Sequence, residues 1–109
     1  MVAAALPQIR RSFDFYGAGV SRMRPGGGAP SLGLLPHVTG QLICLCGRAD
    51  PLFTEQDRNA ISSALTATDP SGERFRYVEI DGADHDFMCE ARESFNAEAS
   101  ALGWRLMLA

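Results

Sequence analysis

The chain has no lysine: all ten of its basic residues are arginine, which reads as codon bias rather than function. Cysteine is scarce and odd in number, three in 109 residues, which argues against a disulfide framework. Basic charge is outweighed, 10 residues to 13 acidic, so no electrostatic footprint invites nucleic acid or an anionic membrane surface. No apolar run approaches the roughly 20 residues of a membrane-spanning helix. The Met1–Leu6 stretch lacks both the basic flank and the length of a secretory signal core, so the cytoplasm is the default location. A recognisable nucleophile is missing too: neither Gly-x-Ser-x-Gly nor Gly-x-Cys-x-Gly occurs anywhere. What remains is a chain with 46% hydrophobic residues, enough for a core and sized for one domain over residues 1–109.

Two strand-like runs carry the chemistry that is present. Gln41-Leu42-Ile43-Cys44-Leu45-Cys46 runs into Gly47-Arg48-Ala49-Asp50-Pro51, and Arg74–Ile80 runs into Asp81-Gly82-Ala83-Asp84-His85-Asp86-Phe87. A carboxylate and an imidazole therefore follow the carboxyl ends of two successive strands. Open parallel sheets place their chemistry at that edge. An acid that orients a histidine, and a histidine that activates a nucleophile, are the working parts of a hydrolase.

The rest of the chain frames these loops. Met1–Leu6 reads as the tail of an Ala-rich helix closed by Pro7. Ile9 to Tyr16 alternates, with Ile9, Phe13 and Phe15 expected on one buried face and Arg10, Ser12, Asp14 and Tyr16 on the other. Asp14 is an odd choice within a parallel strand, where apolar residues are preferred. Residues 21–36 hold the Gly26-Gly27-Gly28 run and several prolines and read as a long loop. Thr54 is the expected N-cap of a helix ending near Thr68, with Glu55 and Asp57 in its first turn and Ala60, Ile61, Ala64 and Leu65 at helical spacing. Asp69-Pro70-Ser71-Gly72 is a turn. Asn96 should cap a last helix whose core stripe is Ala97, Ala101, Trp104 and Leu108, with Trp104 as anchor and Gly103 as a weakness. Strands separated by a helical crossover predict an α/β fold with about three parallel strands and flanking helices. So small a chain buries a modest share of its surface, and marginal stability is expected.

Metal readings are weaker than plain ones. Cys44, Cys46, His85 and Cys89 contain metal-ligating atoms, but a Cys-x-Cys pair within one strand splays poorly for tetrahedral zinc, and small buried hydrophobes are the simpler reading. Asp81, Asp84, Asp86, Glu90 and Glu93 lack the spaced oxygen ligands and glycine of a calcium loop and read as a solvated acidic edge. No metal and no cofactor are expected.

Four stretches, in this order, resemble the carboxyl-terminal part of dienelactone hydrolase-like proteins of the α/β-hydrolase superfamily. They are Phe15-Tyr16-Gly17-Ala18-Gly19, Leu45-Cys46-Gly47-Arg48-Ala49-Asp50-Pro51-Leu52, Gly82-Ala83-Asp84-His85-Asp86-Phe87, and Arg92–Ala99 running on to Trp104. The resemblance implies the carboxyl-terminal portion of an α/β-hydrolase fold, with Asp50 as triad acid and His85 as triad base. Tyr16, at the end of its strand, is a candidate to line the substrate pocket, beside the plainer reading of a core or edge tyrosine. The resemblance also implies an ester- or lactone-cleaving hydrolase acting on a small molecule through a cysteine or serine nucleophile. The strained turn that would expose that nucleophile is lacking, which suggests a fragment that is inactive alone. Asp86 departs from the family, which commonly carries glycine directly after the histidine. The alternative is a non-enzymatic chain, either a degenerate remnant or a small α/β binding module. An unpaired strand edge is an association hazard, so a homodimer or an upstream fragment is the expected partner.

Overall fold

A computed structural model describes residues 2–6, 8–15 and 31–109. A short helix α1 (Val2–Ala5) is followed by strand β1 (Arg11–Phe15), a 3-10 helix (Ser31–His37), strand β2 (Gln41–Gly47), helix α2 (Glu55–Thr68), strand β3 (Phe75–Ile80) and helix α3 (Ala97–Leu108). The three strands are parallel in the order β1-β2-β3, with Ser12 opposite Leu42, Asp14 opposite Cys44 and Cys44 opposite Tyr77. The α/β class and the parallel sheet expected from the sequence are both present.

β2 is the central strand, and every residue after Gln41 in it is buried. Its side chains alternate between two cores, as a two-residue period requires. Leu42, Cys44 and Cys46 pack with Phe53, Ile61, Leu65 and Phe75 on the α2 face, joined there by Leu35 and Val38. Ile43 and Leu45 pack with Ala83, Phe87 and Ala99 on the α3 face, where Phe13, Phe15 and Met88 join them. Each fully buried side chain of this size is worth roughly 1.5–3 kcal/mol of transfer free energy.

Helix α2 starts where the sequence indicated. The Thr54 hydroxyl accepts from the Asp57 amide at 3.1 Å, and the Asp57 carboxylate accepts from the Thr54 amide at 3.0 Å. This reciprocal capping box satisfies two donors that the first turn would otherwise leave open. After α2, the Asp69 carboxylate accepts from the Arg74 and Phe75 amides at 2.8 and 3.0 Å and from the Ser71 hydroxyl at 2.8 Å. Those donors stabilise the anion and hold its pKa below the ordinary carboxylate value. A depressed folded-state pKa contributes stability that is present above the unfolded value, near 3.9, and is lost as pH falls through the folded one. Asp69→Ala should therefore lower the melting temperature at pH 7, and the gap to wild type should close in acid. Melting curves at pH 7, 5 and 3 check this.

Three details of the sequence reading are corrected. Ile9 precedes β1 and packs against the α2-side core, whereas Phe13 and Phe15 face α3. Part of the anticipated long loop, Ser31–His37, is a 3-10 helix that buries Leu35 and leads directly to buried Val38. The largest change is the phase of α3. Trp104 and Leu108 are 55% and 79% exposed, and Ala99, Ser100 and Gly103 face inward instead. A Cβ on Gly103 would lie 2.8 Å from the Met88 sulfur and 3.1 Å from the Phe15 ring. Small residues thus let α3 lie close on the sheet, and Arg11 fixes its far end by donating to the carbonyls of Leu106, Met107 and Ala109.

Asp14 lies within β1 beside Cys44. Burial pushes its carboxyl pKa up, and the hydrogen bond with Cys44 only partly offsets this. A raised folded-state pKa in an acid favours folding below the unfolded value and costs stability as pH rises through the folded one. Asp14→Asn should raise the melting temperature at pH 7 by roughly 4 °C, the effect of about 1 kcal/mol in a domain near this size. The gain should vanish near pH 4, and a series of melts from pH 4 to 8 reads it.

Candidate active site

The acid comes from the end of β2 and the histidine from the loop after β3. Backbone bonds stitch the two strand ends together: Arg48 donates to the Ile80 carbonyl and Ala49 to the Ala83 carbonyl, each at 2.9 Å. Such close approach needs the glycine at the end of β2, because a Cβ on Gly47 would sit 2.3 Å from the Ala83 carbonyl oxygen. Asp50 closes a tight turn, its amide donating to the Gly47 carbonyl at 3.2 Å. One of its carboxylate oxygens accepts from the Leu52 amide at 2.8 Å, which fixes the side chain.

The histidine loop is held as firmly. Gly82 takes a left-handed turn (φ 73°), a conformation glycine adopts without steric cost. Ala83 and Phe87 are fully buried on either side of His85, so the loop is pinned into the core at both ends. The Asp84 carboxylate accepts from the His85 amide at 2.6 Å, and the Asn96 amide donates to the Phe87 carbonyl at 2.9 Å, tying the loop to the start of α3.

These two loops bring His85 Nδ1 to 2.7 Å from Asp50 Oδ2. The Asp50 side chain has no solvent exposure and that of His85 is 28% exposed. A 2.7 Å contact between an imidazole nitrogen and a carboxylate lies in the range of strong, charge-assisted hydrogen bonds. With Oδ1 held by Leu52 and Oδ2 by the ring, Asp50 uses both oxygens. A carboxylate on Nδ1 favours the tautomer that carries its proton there, which leaves Nε2 as the ring atom able to accept one.

Asp50 and His85, singled out from sequence, are therefore brought together. Tyr16 and Gly17-Ala18-Gly19 lie outside the described residues. Cys44 and Cys46 are buried thiols on the α2 face, Cys89 is exposed, and burial pushes the Cys46 pKa up to about 12 and that of Cys44 higher still. Thiols so shifted are protonated at neutral pH and are poor nucleophiles. Among the described residues, no three His, Cys, Asp or Glu side chains gather as a metal group, and no helix is long and apolar enough to cross a membrane. A recess of about 680 Å³ opens on the flank of the histidine loop, lined by Asp84, Ala91, Arg92, Glu93 and Ser94.

Sequence reasoning missed two features of the site. Gly47 matters through close backbone approach, which no glycine announces in a sequence. Asp86 stands out in the sequence as a carboxylate beside the histidine where the family commonly has glycine, but not its left-handed backbone (φ 59°), which places Oδ1 3.5 Å from His85 Nε2. The left-handed region favours glycine but admits aspartate and asparagine more readily than other residues. That explains both the glycine expected here and the residue found.

A parallel sheet with flanking helices, and with an acid and a histidine paired across two strand ends, has the α/β-hydrolase fold. The chain belongs to the dienelactone hydrolase family, whose family model matches residues 1–109. Among its relatives is a Synechocystis protein named "Putative carboxymethylenebutenolidase", 36% identical over 104 residues, covering 95% of this chain and 41% of the relative. A Klebsiella pneumoniae crystal structure titled "Putative Dienelactone Hydrolase" superposes with a TM-score of 0.83 at 24% identity, covering 97% of this chain and 43% of that one. A dienelactone hydrolase-like promiscuous phosphotriesterase from metagenomic libraries superposes with a TM-score of 0.70 at 16% identity, over the same shares. Both structures show the shared fold. The chain spans about two-fifths of the length of each of these proteins.

Proposed function

We propose that this chain supplies the acid–base half of an ester- or lactone-hydrolysing site, with Asp50 orienting His85 and His85 serving as general base and then general acid. The nucleophile belongs to the part of the family fold that the chain does not span. In the assembled site, His85 Nε2 takes the proton of a cysteine or serine as it attacks the carbonyl, then returns it to the departing alkoxide. Asp50 holds the Nδ1 proton and stabilises the imidazolium that forms. The substrate is a small ester or lactone, Tyr16 is a candidate pocket residue, and the chemistry calls for no cofactor. Residues 1–109 form a partial hydrolase domain that is inert by itself and acts in the cytoplasm, in keeping with cysteines that are all free thiols.

The 2.7 Å bond between His85 Nδ1 and Asp50 Oδ2 carries this reading. The position of β1 in the sheet adds to it. β1 pairs with β2 on one side and is an edge strand among the described residues. A further parallel strand added there would end at the same sheet edge as Asp50 and His85. A complementing fragment bearing the nucleophile is thus a better partner than a second copy, which would bring only another acid and histidine.

Co-expression tests this directly. The chain is produced together with the remaining portion of the Synechocystis relative, and hydrolysis of p-nitrophenyl acetate is followed. Turnover should appear with the pair and with neither piece alone, and should disappear with His85→Ala. A stable complex without turnover contradicts the proposal, as does an isolated chain that hydrolyses the ester faster than its His85→Ala variant.

A further inference from the structure

We propose that the outer face of α3 is the contact surface of a weak symmetric dimer, in which a second copy of this chain lays its own α3 antiparallel along it. Ala97, Ala101, Trp104 and Leu108 are all exposed, and the last two are the most exposed large apolar side chains among the described residues. Their spacing of four, three and four residues forms a seam along the helix, the pattern by which two helices pack at about +20°. Ala99, Ser100 and Gly103 hold α3 on the sheet. At about 100° per residue the seam centres some 120° round the helix from them, on its outer half. A strand added beside β1 would lie in the sheet layer beneath α3 and leave that half uncovered. The surface is therefore separate from the strand edge, and the proposal does not rest on the roles of Asp50 and His85.

Size and charge both fit a second copy. A two-fold axis midway between residues 102 and 103 sets Ala101 against the second copy's Trp104 and Ala97 against its Leu108. Each large side chain then meets a small one, so the two seams interdigitate. A parallel pair would set Trp104 on Trp104 and leave a gap between the alanines. Glu98 and Arg105 are both exposed and lie two turns apart, each next to a seam residue on the same flank. Antiparallel packing brings Glu98 of each copy beside Arg105 of the other, and symmetry makes this opposite-charge pair twice. One 12-residue helix from each copy buries well under the roughly 1,600 Å² of a standard interface. The dimer is accordingly weak and forms at high concentration.

Trp104 is the only tryptophan of the chain, so its fluorescence reports on this surface. Sedimentation equilibrium and acrylamide quenching are followed on the full chain from about 10 µM to about 1 mM, the range in which a small interface associates. The mass should rise from 11.7 kDa toward twice that value, while Trp104 becomes less accessible to quencher and its emission moves to shorter wavelength. Glu98→Arg and Arg105→Glu should each weaken association by about tenfold, because two exposed ion pairs become two repulsions. An equimolar mixture of the two variants should recover it, since both cross-pairs are then of opposite charge. That recovery separates loss of the contact from a folding defect in either variant. A chain monomeric throughout, a dimer in which Trp104 stays as accessible as before, or a mixture no better than either variant alone overturns the proposal. So does protection of Trp104 that appears only when a nucleophile-bearing fragment is added.

Discussion

Replacing Gly47 by alanine should destabilise the chain by about 3 kcal/mol, at the upper end of what overpacking costs. The reason is that the new Cβ would meet backbone rather than a side chain that can rotate away. It would lie 2.3 Å from the Ala83 oxygen and 2.8 Å from the Ala83 carbonyl carbon. Relief requires the β2 and β3 loops to separate, which breaks the Ala49–Ala83 hydrogen bond and draws His85 away from Asp50. The melting temperature should fall by about 12 °C or more at roughly 4–8 °C per kcal/mol. A second alanine variant, Gly33→Ala, serves as control because its Cβ would meet nothing within 4 Å. Thermal melts of the two proteins make the comparison.

Asp50→Asn should lower kcat by roughly 10⁴-fold in the complemented enzyme while leaving KM nearly unchanged. An asparagine amide can donate to Nδ1, and the ring would then place its proton on Nε2, where it cannot accept one from a nucleophile. His85→Ala should cost a comparable factor, because groups that act as one unit are not additive. The double variant should therefore be little worse than either single one. Additive losses would mean that the two side chains act separately. Steady-state kinetics on the four proteins decides between these outcomes.

The sequence made the centre of the fold and the acid–histidine pair readable, for physical reasons specific to those residues. Leu42 to Cys46 is a continuous apolar run too short for a typical helix and closed by Gly47, which fits a strand buried on both faces. Thr54 followed by Asp57 sets the start of α2 through donors and acceptors three residues apart. Asp50 and His85 were legible because strand-end loops in a parallel sheet converge on one edge. The phase of α3 was not legible. Ala99, Ser100 and Gly103 carry little hydrophobic signal, so Trp104 and Leu108 dominated the pattern although the sheet demanded small residues. The 3-10 helix at Ser31–His37 was hidden by Gly33 and Pro36, which read as loop punctuation. The contact of Asp86 with its neighbour depends on a left-handed φ that no side-chain pattern reveals.

The pairing of His85 with Asp50 is most directly tested by long-range ¹H–¹⁵N correlation NMR on the chain labelled with ¹⁵N-histidine. At pH 8 the His85 ring should carry its proton on Nδ1, in a hydrogen bond whose signature disappears in Asp50→Asn, while His37 is unchanged by that substitution. A His85 ring protonated on Nε2, with signals indifferent to the substitution at Asp50, would contradict the pairing.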